Sequence, residues 1–269
     1  MDITDLKEKN MDVWIQSLGS GTSTRFTFDP AEETTAVWSR DGKRIAFRTV
    51  VGAGGIAVKD ADGMHPDRRI TNNKNGSTLK DLVISDVLPN SWSPDDKQIV
   101  CSVQLYGGSQ GTVLVSLPSD GGDMVPLLNT RANEQMGQIS PDGKWLAYAS
   151  TESGDWEIYV TTFPAAQGKW QVSRGGGTEP RWRGDGKELY YLSPREELMA
   201  VTIDAKDTFS SGTPAELFQV RPRAPISSTD IFTYDVTKDG QKFLVNQYVK
   251  PERIDPLTIV QHTLAEPAK

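Results

Sequence analysis

The chain is poor in the residues on which catalysis, disulfide bonding and membrane insertion depend. Its 269 residues include one cysteine and two histidines. A single cysteine, Cys101, excludes an internal disulfide, and its apolar neighbours in a predicted strand favour a small buried side chain. No apolar stretch approaches the roughly 18 residues of a membrane-spanning helix. The first residues also lack the basic and then apolar pattern of a signal peptide, so we expect no membrane insertion.

An excess of basic residues is missing as well. The net charge is −7 and the isoelectric point is about 5.0. A partner that presents a phosphate backbone requires a basic face, so we expect no nucleic-acid partner. The composition leaves the compartment and the oligomeric state open.

Short motifs for catalysis are incomplete. Gly107–Gly111 satisfies the Gly-x-Ser-x-Gly pattern, but no helical periodicity follows to form the strand-to-helix turn that presents a nucleophile. Gly175–Gly177 lacks the lysine of a phosphate-binding loop, and Asp60–Gly63 lacks the further oxygens of a calcium loop. His65 lies in a polar turn and His262 in the last predicted strand. We therefore predict no catalytic residues, no bound cofactor and no enzymatic activity.

What the chain does contain is a repeat. Five times an apolar stretch leads to an Asp-Gly turn (Asp-Asp in the second copy) and then to a short β-rich run. Asp-Gly between two apolar runs indicates a hairpin, because glycine accepts a positive φ and aspartate caps its own turn. Successive anchoring aspartates are 43 to 54 residues apart, at Asp41, Asp95, Asp142, Asp185 and Asp239.

Two more strands follow each hairpin. A third strand is predicted at Gly55–Val58, Thr112–Val115, Glu157–Val160 and Leu198–Val201. A fourth is seen in Arg25–Thr27 and Arg69–Thr71, where the order Arg, apolar residue, Thr recurs, and in Gln171–Ser173 and Leu217–Gln219. Four antiparallel strands at this period predict an all-β protein, a β-propeller whose blades stack around an axis.

Tryptophan marks the first strand of three repeats. Trp38, Trp92 and Trp182 each lie three residues before the anchoring aspartate. A bulky apolar residue at a fixed place in the innermost strand predicts packing between blades, and a ligand-stacking role is the weaker alternative.

The ends of the chain suggest how the ring closes. Strands are predicted near the start, at Asp12–Ile15 and Ser23–Thr27, and near the end, at Leu257–Val260. We predict one domain over residues 12–269, preceded by a polar segment over residues 1–11. Met1–Asn10 has no predicted strand, and we expect it to fray or to form a short helix. Five blades closed by the two termini fit best, and a six-bladed or incomplete ring is the alternative.

Several stretches carry a family resemblance. Ile56–Gly63 leading to Arg69–Thr71 resembles the end of a blade in TolB-like, WD-repeat-like propellers. Gly168–Ser173, Gly175–Trp182 and Asp239–Asn246 are similar to the C-terminal propellers of bacterial serine/threonine kinases and related sensor proteins. The resemblance implies a protein- or peptide-binding module, and it implies an extracytoplasmic location if the chain is part of a larger sensor.

A candidate binding site follows from the repeat. The residues that lead into the innermost strands should surround one mouth of the channel, and every repeat has a carboxylate there. They are Glu32, Glu33, Asp86, Glu134, Glu179 and Asp230. Converging carboxylates produce a focused negative potential, so this acidic mouth is a hypothetical site for a cation or a basic peptide.

Three functions therefore remain open. The first is a non-catalytic module that binds a protein or peptide through its loops or its channel mouth. The alternative is a propeller enzyme, a lactonase or a lyase, with a metal at the channel mouth. The third is a piece of a larger sensor chain with no activity of its own.

Overall fold

The computed structural model describes most of the chain as β-structure. The described residues are 2–5, 10–50, 54–71, 78–79, 81–107, 111–128, 130–206, 208–220 and 232–246. All regular elements in these ranges are strands. None of the described segments forms a helix that is long and apolar enough to cross a membrane.

The first two sheets are formed in chain order. A three-stranded sheet contains β1 (Asp2–Asp5), β2 (Asn10–Gln16) and β3 (Ser23–Arg25). The first four-stranded blade is a separate sheet of β4 (Glu33–Trp38), β5 (Arg44–Thr49), β6 (Gly55–Asp60) and β7 (Arg68–Arg69), in that order.

The second blade has five strands, with β9 to β12 in order and β8 paired to the outer end of β9. Its strands are β8 (Thr78–Leu79), β9 (Leu82–Trp92), β10 (Gln98–Tyr106), β11 (Thr112–Pro118) and β12 (Val125–Pro126). The third blade is β13 (Glu134–Ile139), β14 (Trp145–Ser150), β15 (Glu157–Thr162) and β16 (Trp170–Gln171).

The fourth blade also has five strands, because β20 and β21 both pair with β19. Its strands are β17 (Thr178–Trp182), β18 (Glu188–Leu192), β19 (Glu197–Asp204), β20 (Ser210–Ser211) and β21 (Ala215–Gln219). The last sheet is a hairpin of β22 (Tyr234–Val236) and β23 (Phe243–Val245).

This arrangement confirms the predicted all-β propeller. Each of the five repeats supplies the first two strands of a sheet, and the predicted third strands are β6, β11, β15 and β19. The prediction for the start was wrong in one respect, since Asp2–Asp5 is a strand paired with β2. The β1–β3 and β22–β23 sheets are separate in the described residues. Leu257–Val260 lies outside those residues, so closure of the ring by the termini stays a prediction.

All five anchoring aspartates cap their turns as predicted. In each turn the carboxylate accepts a hydrogen bond from the backbone N–H two residues later, for example from Lys43 to Asp41 at 2.9 Å and from Gln241 to Asp239 at 3.0 Å. It also accepts one from the side chain two residues earlier, which is a hydroxyl in four turns and the guanidinium of Arg183 in the fourth repeat. These bonds hold the pKa of Asp185 down to about 2.

The threonine or serine that ends the predicted fourth strand has the same role in three sheets. The hydroxyl of Thr27 accepts a hydrogen bond from the backbone N–H of Val13 within β2. Thr71 accepts in the same way from Ile56, and Ser173 accepts from Ile158. The recurring Arg, apolar residue, Thr pattern thus reflects a bond that fixes the outer strand to its neighbour.

The tryptophans divide into two groups. Trp92 and Trp182 are buried between blades, as predicted, and each belongs to an apolar cluster that joins two sheets. Trp38 is 51% exposed, so the prediction of inter-blade packing is wrong for this residue in the described structure. Among the described strands, β4 packs against β1 and β2, and no strand lies beyond β1 to cover Trp38.

Candidate functional site: the central channel

The innermost strands share a bulge that divides the channel into two ends. Thr35, Met136 and Glu179 each lie six residues before their anchoring aspartate and have φ values of 54°, 59° and 55°. The register of β4, β13 and β17 shifts at these residues. A bulge re-aims the side chains that follow it. We call the part of each inner strand before the bulge the mouth end and the part after it the turn end.

Two carboxylates of the predicted acidic mouth are buried between sheets. Glu33 is 2% exposed, and burial raises its pKa to about 7 while a hydrogen bond with Thr27 opposes the shift. The Asp67, Asp29 and Asp12 charges contribute smaller increases. Glu134 is fully buried and accepts a hydrogen bond from the hydroxyl of Thr130.

Glu179 connects the fourth repeat to the fifth. It is buried, and its Oε2 accepts hydrogen bonds from the backbone N–H of Thr233 at 2.6 Å and from the Thr233 hydroxyl at 3.0 Å. The Tyr234 hydroxyl donates to the Glu179 carbonyl at 2.8 Å. Burial raises the pKa of Glu179, and the two bonds from Thr233 lower it. This carboxylate therefore joins two blades.

The remaining mouth residues differ from one another. Asp86 is half-buried and forms a 2.8 Å ion pair with Arg48 of the preceding blade, whereas Glu32 is exposed. Asp230 lies outside the described residues. The six predicted carboxylates thus have separate structural environments, and in the described part of the chain no three of them bring ligand oxygens within 4.8 Å of one another.

At the turn end, one arginine reaches across the channel. Arg40 follows β4, and its guanidinium donates a 3.0 Å hydrogen bond to the Ile139 carbonyl two blades away. Its backbone N–H donates to Asp96 Oδ1 at 2.6 Å. Much of Arg40 faces solvent, yet desolvation of its guanidinium lowers its pKa, an effect that Asp96 and Asp235 oppose and Arg181 reinforces.

Arg181 is the second cation at this end. Its side chain is 13% exposed, and its Nε lies 3.4 Å from Asp235 Oδ1. The guanidinium stacks on Phe232, with its central carbon 3.5 Å from the ring centroid. Its Nε is buried and makes no hydrogen bond to any described residue. A buried donor without an acceptor is rare in folded proteins.

The turn-end cluster consists of Arg40, Asp96, Arg181, Phe232 and Asp235. Its charged groups come from four of the five repeats, and the third supplies the Ile139 carbonyl. This cluster was not predicted from the sequence, because the predicted acidic mouth comprises only residues that lead into the inner strands. A signal was present, because the residue four positions before the anchor is charged only in the last two repeats, as Arg181 and Asp235.

Other chemical groups lie away from the channel or are buried. Cys101 is fully buried, and burial raises its pKa far above the usual range of a thiol. His65 is exposed in the turn after β6, with Nδ1 3.2 Å from Asp60 Oδ2. Asp60, Asp62 and His65 bring one potential ligand atom each within 4.8 Å of one another. Residues 108–110 of the Gly-x-Ser-x-Gly match and His262 lie outside the described residues.

Comparison of the whole structure identifies its fold. TolB from Acinetobacter baumannii superposes with a TM-score of 0.64 and 17% sequence identity, over 87% of this chain and 53% of that one. The fold is that of a TolB-like β-propeller. Oligogalacturonate lyase from Vibrio parahaemolyticus superposes with a TM-score of 0.54 and 11% identity, over 91% of this chain and 66% of that one. Propellers of different function therefore share this architecture, and the fold alone does not assign an activity.

Sequence comparison adds one curated relative. The chain is 26% identical over 181 residues to the uncharacterized peptidase YuxL of Bacillus subtilis (strain 168). The match covers 53% of this chain and 26% of that protein, so the chain spans about a quarter of the relative's length and about half of TolB. No protein-family profile matches the chain.

Proposed function

We propose that this propeller is a non-catalytic binding module that takes a carboxylate-bearing segment of a protein partner at the turn end of its channel. The observation that carries the proposal is the buried Arg181 Nε, which has no acceptor in the described structure. A guanidinium with unused donors binds a carboxylate through two parallel hydrogen bonds. Stacking on Phe232 fixes the plane of the guanidinium and thereby the direction of those donors.

Arg40 supplies a second positive charge to the same site. The positive charge of Arg181 contributes to lowering the pKa of Arg40, which is electrostatic repulsion between the two guanidinium groups. A ligand anion between them would relieve that repulsion. Asp235 is 71% exposed and makes only a long contact with Arg181, so a ligand carboxylate can replace it without uncovering a buried charge.

The proposed ligand is the opposite of the basic peptide that the acidic-mouth hypothesis suggested. Glu33, Glu134 and Glu179 are buried at the mouth end, and Glu179 is committed to bonds that hold two blades together. At the turn end, the Nε of Arg181 has no acceptor among the described residues. Acidic side chains, or the C-terminal carboxylate of a peptide, fit this donor.

A peptide-selection experiment tests the proposal. A phage library of random peptides is selected on the protein, and the selected peptides are synthesised, labelled and titrated by fluorescence anisotropy against wild type, Arg181→Gln and Arg195→Gln. Arg195 is an exposed loop arginine outside the channel and serves as the matched control. We expect selected peptides rich in Asp and Glu, which bind Arg181→Gln at least about tenfold more weakly because a charge-assisted bond is lost.

The Arg195→Gln variant should bind like wild type, and replacing the acidic residues of the peptide by Asn and Gln should abolish binding. Selected peptides without acidic residues, or equal binding by wild type and Arg181→Gln, would overturn the proposal. A melting curve for each variant establishes that the blades remain folded.

A further inference from the structure

Three potential metal ligands come together in the turn after β6. Asp60 ends β6, Asp62 and His65 follow it, and the three side chains bring one ligand atom each within 4.8 Å of one another. In the described part of the chain, no other group of three histidine, cysteine or carboxylate ligands meets this distance. Because β6 is the third strand of its blade, the turn lies outside the channel.

Backbone hydrogen bonds hold this turn against the rest of the first blade. The Gly63 N–H donates to the Asp60 carbonyl at 3.0 Å, and the Ala61 N–H donates to the Lys43 carbonyl at 2.8 Å, beside the anchoring turn. The three ligand side chains therefore start from a fixed backbone. Their ends are largely exposed, so they can rotate toward an ion without repacking the core.

The two carboxylates have no lysine or arginine partner. Among the described residues, no basic side chain of these two types brings a nitrogen within 4.0 Å of Asp60 or Asp62. Lys59 precedes Asp60 but donates to a backbone carbonyl after β3. Arg44 is paired with Asp60 in the sheet, yet its guanidinium donates to a backbone carbonyl of the second blade. The negative charge at the turn thus remains available to another cation.

The donor atoms indicate which cation fits. Calcium takes six to eight oxygen ligands, and the sequence of Asp60–Gly63 lacks the further oxygens. The structure adds the imidazole of His65 to the two carboxylates. Zinc and other divalent transition metals bind imidazole nitrogen together with carboxylate oxygen, and three protein ligands leave the fourth tetrahedral position to water.

We propose that Asp60, Asp62 and His65 form a surface site for zinc or a similar divalent transition-metal ion. Zinc bonds of about 2.1 Å place tetrahedral ligands about 3.4 Å apart, so the observed spacing requires only small side-chain rotations. Because the fold holds the three side chains together, the ion should bind the folded protein better than the unfolded chain and raise its melting temperature.

Zinc titration of the full-length, tag-free and metal-free protein tests the proposal. Isothermal titration calorimetry with zinc chloride gives the stoichiometry and affinity of wild type, His65→Gln and Asp62→Asn. The matched controls are His262→Gln, the other histidine of the chain, and Asp123→Asn, an exposed aspartate outside the turn. Calcium chloride is titrated in parallel, and melting curves are recorded with and without zinc.

We expect one zinc ion per wild-type chain and no calcium binding at the same concentrations. Affinity should fall at least about tenfold in His65→Gln and Asp62→Asn, since even the loss of an outer partner of a metal ligand costs that much. Both controls should bind like wild type, and zinc should raise the melting temperature of wild type but not of His65→Gln. Lack of saturable zinc binding by wild type overturns the proposal, as does unchanged binding by His65→Gln or equal affinity for calcium.

Discussion

Replacing Glu33 by glutamine is expected to stabilise the protein above pH 7 and to have almost no effect near pH 4. Burial raises the pKa of this carboxyl from 4.5 to about 7 in the folded protein. The folded state therefore holds the proton more tightly than the unfolded chain, and the free energy of unfolding falls as the pH rises from 4.5 to about 7. Above about pH 7 the full loss of stability has occurred.

The magnitude follows from the size of the shift. Each pKa unit corresponds to about 1.36 kcal/mol, so ionisation of Glu33 lowers stability by up to about 3 kcal/mol. Glutamine keeps the shape of the neutral side chain without the charge. The Asp12, Asp29 and Asp67 carboxylates face Glu33, and Arg25 forms a 2.9 Å ion pair with Asp12. All of these groups remain in the variant.

Guanidinium denaturation of wild type, Glu33→Gln and Glu32→Gln between about pH 4 and pH 8 measures the effect. Glu32 is the exposed neighbour in sequence, so its variant has the same change in net charge without the change in buried charge. We expect the Glu33→Gln curve to separate from wild type as the pH rises and the Glu32→Gln curve to follow wild type. A constant difference between Glu33→Gln and wild type at every pH would refute the reasoning.

Three further changes can be checked by denaturation at one pH. The Trp182→Phe variant should lose about 1–3 kcal/mol of unfolding free energy, because the Gln138 carbonyl loses the indole N–H that donates to it. An equal loss in Trp38→Phe, where the indole is exposed, would contradict this reasoning. Asp96→Gly restores the Asp-Gly turn and relieves a φ of 56°, but it removes the acceptor of two backbone N–H groups in the first repeat. We expect the free energy of unfolding to fall by about 1 kcal/mol, since two hydrogen bonds to a charged acceptor outweigh the backbone strain. An increase in stability would show that relief of the strain outweighs the two hydrogen bonds. Gly137→Ala places a methyl 2.6 Å from Val100 Cγ1 and should cost about 1–3 kcal/mol, whereas Gly19→Ala, with no atom nearby, should cost little.

The repeat predicted the blades well because its signals are local. Asp-Gly turns and alternating apolar runs fix hairpins without reference to the rest of the chain. The short strands β8, β12 and β20 were missed, since two-residue pairings at a blade's edge depend on the neighbouring strand rather than on their own sequence.

The channel was harder to predict than the blades. Counting residues back from Asp185 indicated that Glu179 is near the channel, but not that a bulge would direct its carboxylate to Thr233 of the next repeat. Arg40 resembles any polar turn residue until the fold brings it to Ile139, 99 positions away. Contacts across the channel axis join residues from different repeats, and the sequence pattern within one repeat does not predict them.

The hydrogen bond from Arg40 to the third blade also affects how the propeller unfolds. In an open array of repeats, each unit contacts only its neighbours, and the end units can detach one at a time. The hydrogen bond across the channel axis couples the first and third blades directly, although the second blade lies between them. Detachment of the first blade therefore breaks a hydrogen bond to the third blade. Unfolding that starts at the first blade should for this reason destabilise the third blade as well as the second.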